Sequence, residues 1–174
     1  PIGPANRYFH AEMEAKTYDP DKARYYLQQA GLSSLDVTIS VADAAFSGAV
    51  DAGAMFSETA RAAGINMTVD RVPNDGYWSN VWLNPNGNTP FCATYWGGRA
   101  VEDHMFTTAY AAGADWNESF WNNERFNELL VTARSEINED LRREMYHEMQ
   151  QLVSFAGSTI IPMYNNYVMA LSNK

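Results

Sequence analysis

A chain of 174 residues, 46% hydrophobic and 19% charged, is long and apolar enough for a folded core, and its ordinary glycine and proline content excludes disordered, collagen-like and coiled-coil classes. A net charge of -9 argues against nucleic acid or an anionic membrane as partner, because the 12 lysines and arginines are scattered instead of forming a basic face. Cys92 is the single cysteine, so neither an internal disulfide nor a cysteine zinc cluster is available, and no apolar run approaches the ~20 residues of a membrane span.

Pro1–Tyr18 shows no clean period and reads as an extended opening segment; its start lacks a signal-peptide pattern and a Met, as expected of a processed or truncated chain. A helix should follow, with Asp19 as N-cap, Pro20 at the first helical position and Gly31 beyond the end, burying Ala23, Tyr26, Leu27 and Ala30. Leu35–Val41 alternates apolar and polar residues with the period of a half-buried strand. Ser47–Ala63 reads as a helix whose face carries Val50, Ala54, Met55, Phe56, Ala60 and Ala63, stopped by Gly64. Ile65–Val72 alternates again and ends at Pro73, so the two strands and the helix between them suggest a right-handed parallel crossover.

Asp75–Leu83 has the character of a short helix, Asn84–Asn88 of a turn, and Pro90–Trp96 of a third strand broken by Gly97 and Gly98. Two helices are then predicted. Asn123–Ile137 carries a stripe of Phe126, Leu129, Leu130, Ala133 and Ile137; Glu139–Ala156 carries Leu141, Met145, Met149, Leu152 and Val153, with Asn138 as cap and Gly157 as stop. Thr159–Leu171, rich in Ile, Tyr, Val and Met, suggests one bent strand or two short ones. The sum is one α/β domain over 1–174, with a mixed sheet of about four to six strands and helices on both faces.

Several of these segments carry a family pattern. Tyr18-Asp19-Pro20-Asp21-Lys22-Ala23-Arg24 with Leu27, Ala30 and Gly31, the Ala60–Val69 helix-to-strand junction, Trp121–Leu130 with Ala133, Arg142, Tyr146 and Gln150, and Ile160-Ile161-Pro162-Met163-Tyr164 occur in the order found in family 5 solute-binding proteins. The chain therefore resembles most of the C-terminal lobe of these receptors, which include the dipeptide, oligopeptide and nickel receptors of ABC importers. Glu124 departs from the pattern, standing where proline is usual. The resemblance implies a periplasmic binding protein-like lobe, located in the periplasm or otherwise outside the cytoplasm. It would be half of a monomeric, two-lobed receptor that closes on a peptide, peptide-like or opine-like solute and delivers it to a membrane permease. The same kind of domain also senses effectors in some transcription regulators, and a hydrolase is a third reading.

The ligand-binding candidates are Trp96, Gly97, Gly98, Arg99, Trp116, Phe120 and Trp121. Trp96 precedes two glycines at the end of the predicted third strand, where open α/β sheets bind ligands, or else it is a core aromatic. Aligned without a gap from Trp96, Arg99 occupies the position of the aspartate that holds the peptide ammonium group in the resembled receptors. A guanidinium there would instead hold a carboxylate or phosphate, unless Glu102 or Asp103 neutralises it. Trp116, Phe120 and Trp121 lie in a polar loop where they could wall a ligand or cover a sheet edge; Tyr77, Trp78 and Trp82 could pack or reach the cleft. No catalytic group, cofactor or metal site is expected. His10, His104 and His147 have no partner at ligand spacing, phosphate-loop motifs are absent, and Cys92 reads as a core thiol.

Overall fold

The computed structural model describes residues 1–83, 89–166 and 168–172, and its contacts group into two compact units: Glu14–Gly97, and Pro1–Met13 together with Gly98–Lys174. The predicted turn at Asn84–Asn88 lies outside the described residues.

In the unit Glu14–Gly97, α1 (Pro20–Gln29) begins where its signals place it, with the Asp19 carboxylate accepting from the Lys22 N–H at 2.8 Å. No α1 residue is fully buried; Ala23 and Leu27 are half-buried, while Tyr26 and Ala30 are exposed. Strands β1 (Leu35–Val41) and β2 (Ile65–Arg71) pair in parallel over their full length, Leu35 opposite Ile65 and Val41 opposite Arg71. They are joined by α2 (Ala49–Ala60) and a 3-10 turn at Arg61–Ala63, after which Gly64 takes a left-handed conformation at φ 80°.

The buried stripe of α2 is Ala49, Gly53, Ser57 and Ala60; of the apolar face read from the sequence, Ala60 and Ala63 are buried and Val50 is half-buried against the strands, while Ala54, Met55 and Phe56 are exposed, Met55 at 70%. The reason is close approach. A Cβ on Gly53 would stand 3.0 Å from Val41 Cγ1, and the Ser57 hydroxyl donates to the Met67 carbonyl at 2.6 Å, so small residues face the strands and large ones cannot. Gly53→Val should therefore destabilise the unit by about 1–3 kcal/mol through overpacking, read as a lower urea midpoint with an unchanged slope.

β1 is not simply half-buried. Ile39, Ser40 and Val41 are all buried, because a further segment covers the edge of β1 away from β2. There the Ser40 N–H donates to Phe91 and the Ser40 carbonyl accepts from Ala93, both at 3.0 Å, giving a parallel bridge between Ser40 and Cys92. The third strand expected at Pro90–Trp96 is reduced to this bridge, and Thr159–Leu171 forms no strand among the described residues. The described sheet thus has two strands instead of about four to six. The short helix predicted over Asp75–Leu83 is α3 (Tyr77–Asn80), whose Tyr77 is 1% exposed and donates its hydroxyl to the Ala93 carbonyl.

The other unit holds α4 (Glu102–Ala109), α5 (Glu124–Ser135) and α6 (Glu139–Ala156) with the N-terminal segment. α4 was not anticipated, although Glu102, Met105, Phe106 and Ala109 bury one face at helical spacing. Asn138 caps α6 as expected, and Asn123, read as the first residue of its helix, is the N-cap of α5. Phe126, Leu129, Leu130 and Ala133 are buried, but α5 stops at Ser135 and leaves Ile137 93% exposed. On α6 the buried face is Tyr146, Met149, Gln150 and Val153, while the predicted Leu141 is 46% exposed.

That shift follows from what covers α6. Tyr8 stacks on Tyr146 at 4.9 Å, and Gln150 holds the N-terminal segment by donating to the Tyr8 carbonyl at 2.7 Å and accepting from the His10 N–H at 3.0 Å. His10 and His147 stack at 4.1 Å with planes 6° apart, and one nitrogen of each ring, His10 Nδ1 and His147 Nε2, is buried without a partner among the described residues.

Burial lowers the pKa of His147, helped by the charges of His10 and Arg143 and opposed by Glu12. The folded state therefore binds fewer protons than the unfolded chain, so this contribution to stability is complete above the ordinary value of 6.5 and is lost as pH falls below it. Unfolding midpoints measured between pH 5 and pH 7 should rise with pH, and His147→Phe should flatten that slope.

Candidate functional site

Two parallel strands with a helix between them leave their carboxyl ends at Val41 and Arg71, the place where open α/β sheets usually bind ligands. A polar crevice of about 140 Å³ opens there, lined by Asp43, Arg71, Pro73 and Asn74 among others. Its walls are fixed by short bonds: the Asn74 carboxamide oxygen accepts from the Ala44 N–H at 2.9 Å, and the Val72 N–H donates to the Val41 carbonyl at 3.0 Å.

Beside it in sequence and in the same unit, α3 and the bridged segment bring aromatic rings together. Trp78 meets Trp82 at 5.5 Å and Tyr95 at 5.6 Å, both with planes 75° apart, and Trp82 meets Trp96 at 6.4 Å. Buried Tyr77 anchors this row at 5.5 Å from Trp78. Trp78 and Tyr95 remain exposed, Trp96 and Gly97 half-buried. Of the aromatics read from the sequence, Tyr77 packs, whereas Trp78, Trp82 and Trp96 form a partly open surface with Tyr95. Edge-to-face arrangement leaves ring faces available for stacking on an apolar or ring-bearing group.

The remaining candidates fall in the other unit. Gly98 is exposed, and no atom lies within 4 Å of where its Cβ would stand. Arg99 is half-buried, and its carbonyl accepts from the Asn6 carboxamide at 3.0 Å. Of the two carboxylates that follow it, Glu102 accepts from the Tyr8 N–H at 2.7 Å, and Asp103 from Arg134 Nε at 2.7 Å.

The loop before α5 is built around Asn117, which is 4% exposed and donates to the carbonyls of Ala111 at 3.1 Å and Trp121 at 2.8 Å. The three loop aromatics separate accordingly. Trp121 turns inward onto Phe126 at 5.0 Å, while Trp116 and Phe120 are 49% and 63% exposed. Phe120 has φ 52°, a left-handed conformation that bulky residues rarely hold without fixed surroundings. Its N–H donates to the Asn117 carbonyl at 3.0 Å.

Among the described residues no group of three or more His, Cys, Asp or Glu is arranged to hold a metal ion, and no helix is long and apolar enough to cross a membrane.

The architecture is that of a periplasmic binding protein lobe. AppA from Clostridium difficile superposes with a TM-score of 0.75 at 16% identity, over 87% of this chain and 31% of that one. DppA from Helicobacter pylori, an ABC transporter-associated periplasmic binding protein in complex with the peptide STSA, gives a TM-score of 0.69 at 22% identity, over 87% of this chain and 30% of that one. MoaA from A. tumefaciens R10, in complex with mannopinic acid, gives 0.68 at 18% identity, over 87% of this chain and 31% of that one. The chain thus spans about three tenths of the length of the structures it resembles. No curated protein matches the sequence. Residues 1–118 match the model of the bacterial extracellular solute-binding proteins, family 5 Middle, and the chain belongs to that family.

Proposed function

We propose that this chain is most of the C-terminal lobe of a solute receptor outside the cytoplasm, which closes with a second lobe on a peptide, peptide-like or opine-like molecule and passes it to the permease of an ABC importer. Both compact units belong to that lobe, and no chemistry is assigned to it. The observation that carries the reading is the family match, because residues 1–118 contain the strand ends, the aromatic row and the Trp96–Arg99 segment. The peptide on DppA and the mannopinic acid on MoaA support the ligand class. Within the lobe, Trp96, Gly97, Gly98 and Arg99, with the exposed Trp116 and Phe120, are proposed to face the ligand. Trp121, packed on Phe126, is proposed to support the loop from behind.

Arg99 sets the expected charge of that ligand. A guanidinium in place of the ammonium-binding carboxylate favours an anionic group, held by two parallel hydrogen bonds. Calorimetric titration of the full receptor with opines and with short peptides should show tighter binding of the opines. Arg99→Ala should weaken the preferred ligand roughly tenfold to a hundredfold, the loss of about 1.5–3 kcal/mol for a charge-assisted contact. Unchanged affinity in Arg99→Ala would remove Arg99 from the site, and absence of any bound peptide or opine would remove the receptor reading.

A further inference from the structure

The unit that contains Pro1–Met13 and Gly98–Lys174 holds a cavity of about 340 Å³ among the N-terminal segment, the start of α4, and helices α5 and α6. None of the seven candidates read from the sequence lines it. Tyr8, Tyr146, Val101 and Ala133 give it an apolar wall, and its other lining side chains are mainly charged.

Some of those charges are already matched. Arg7 pairs with Glu139 at 2.8 Å, and Arg134 with Asp103 at 2.7 Å. Two groups of opposite sign are left. Arg142 donates to the Glu136 carbonyl but has no carboxylate in ion-pair range among the described residues, and its Nε is buried without a partner. Glu102 is 2% exposed and accepts from the Tyr8 N–H, yet has no cation in ion-pair range among the described residues. Tyr146, one turn beyond Arg142 on α6, is 5% exposed, and its hydroxyl has no hydrogen-bond partner among the described residues.

Buried polar groups are normally paired, so an unpaired Arg142 Nε beside a buried carboxylate that has no cation, with the unbonded Tyr146 hydroxyl on the same lining, marks a surface shaped for something else. Burial, with the nearby charges of Asp103 and Glu102, pushes the Tyr146 pKa up to about 12, so at neutral pH its hydroxyl is a donor.

We propose that this cavity binds a small zwitterion of the α-amino-acid type, its carboxylate held by Arg142 and the Tyr146 hydroxyl, its ammonium group by Glu102. An anion alone leaves Glu102 without a cation, and a cation alone leaves Arg142 without an anion. None of the residues proposed to face the receptor's ligand lines this cavity, and the proposal does not rest on the charge preference assigned to Arg99.

The test is a titration of the 174-residue chain with L-alanine, followed through the backbone amide NMR shifts of Tyr8, Val101 and Arg142. Saturable shifts are expected, with acetate and methylammonium, which carry one charge each, at least roughly tenfold weaker. Arg142→Gln and Glu102→Gln should each weaken alanine by roughly tenfold or more; the Gln side chain at 102 retains an acceptor for the Tyr8 N–H. Arg142 also holds the Glu136 carbonyl, so its variant risks disturbing the turn before α6. Tyr146→Phe removes only an unpaired hydroxyl; it should fold normally and weaken alanine several-fold. The proposal is overturned by alanine producing no saturable shift, by acetate binding as tightly as alanine, or by folded Glu102→Gln and Tyr146→Phe binding alanine as the parent chain does.

Discussion

Replacing Phe106 with Ala is expected to cost about 3–5 kcal/mol, the usual loss for a large aromatic in a core that cannot collapse around the hole. Phe106 is fully buried and meets Phe126 at 5.3 Å edge to face, Tyr110 at 6.4 Å and Tyr146 at 6.2 Å, so one ring joins α4, α5 and α6. Chemical unfolding followed by circular dichroism should show the loss. Hydrogen exchange should place it in α4–α6 and leave β1 and β2 protected. A cost under about 1 kcal/mol would mean that the three helices do not depend on this ring.

Gln150→Met is expected to release the N-terminal segment from α6 at a cost of about 2–5 kcal/mol. The substitution keeps the length of the side chain but leaves the Tyr8 carbonyl and the His10 N–H without their partner, and each unsatisfied buried group costs about 1–3 kcal/mol. Exchange at the His10 amide should accelerate by orders of magnitude while the α5 amides stay protected. Slow exchange at His10 in the variant would show that ring stacking on Tyr146 and His147 holds the segment by itself.

What could be read from the sequence had local causes. Asp19, Asn123 and Asn138 cap helices by bonds within a few residues, and the alternation of β1 and β2 reflects their own pleat, so both appear as short patterns. Facing was harder wherever a distant segment decided it. The α2 stripe is set by how near Gly53 comes to Val41, and the α6 face by Tyr8 arriving from the other end of the chain. A signal for the second case was present: Arg142, Tyr146 and Gln150 recur every fourth residue, a polar row inside an otherwise apolar stripe.

α4 is hard to read from the sequence because Gly97 and Gly98 just before it carry loop character, although Met105, Phe106 and Ala109 have helical spacing. The third strand is shorter than its composition suggests because, among the described residues, the strand-forming residues at 90–96 pair in a bridge only around Ser40. Within the candidate site, aromatic composition marks Trp78, Trp82, Trp96, Trp116 and Phe120 as rings that either pack or reach a ligand. It could not distinguish them from Trp121 and Tyr77, whose inward packing depends on Phe126 and Ala93.

The chain's path through its two units has a kinetic consequence. Glu14–Gly97 is one uninterrupted stretch, and its strands, connecting helix and bridge are all made between residues of that stretch. During synthesis it can fold as soon as it has emerged. The other unit begins at Pro1 but closes on α6, with bonds linking residues 140 and 142 positions apart. Tyr8 and His10 must therefore wait, unsatisfied, until α6 has been made. Contacts of such long range require loop closure before they contribute, which slows folding. A permuted chain in which the first 13 residues follow position 174 through a flexible linker should refold faster, with the helices of this unit forming earlier relative to the strands.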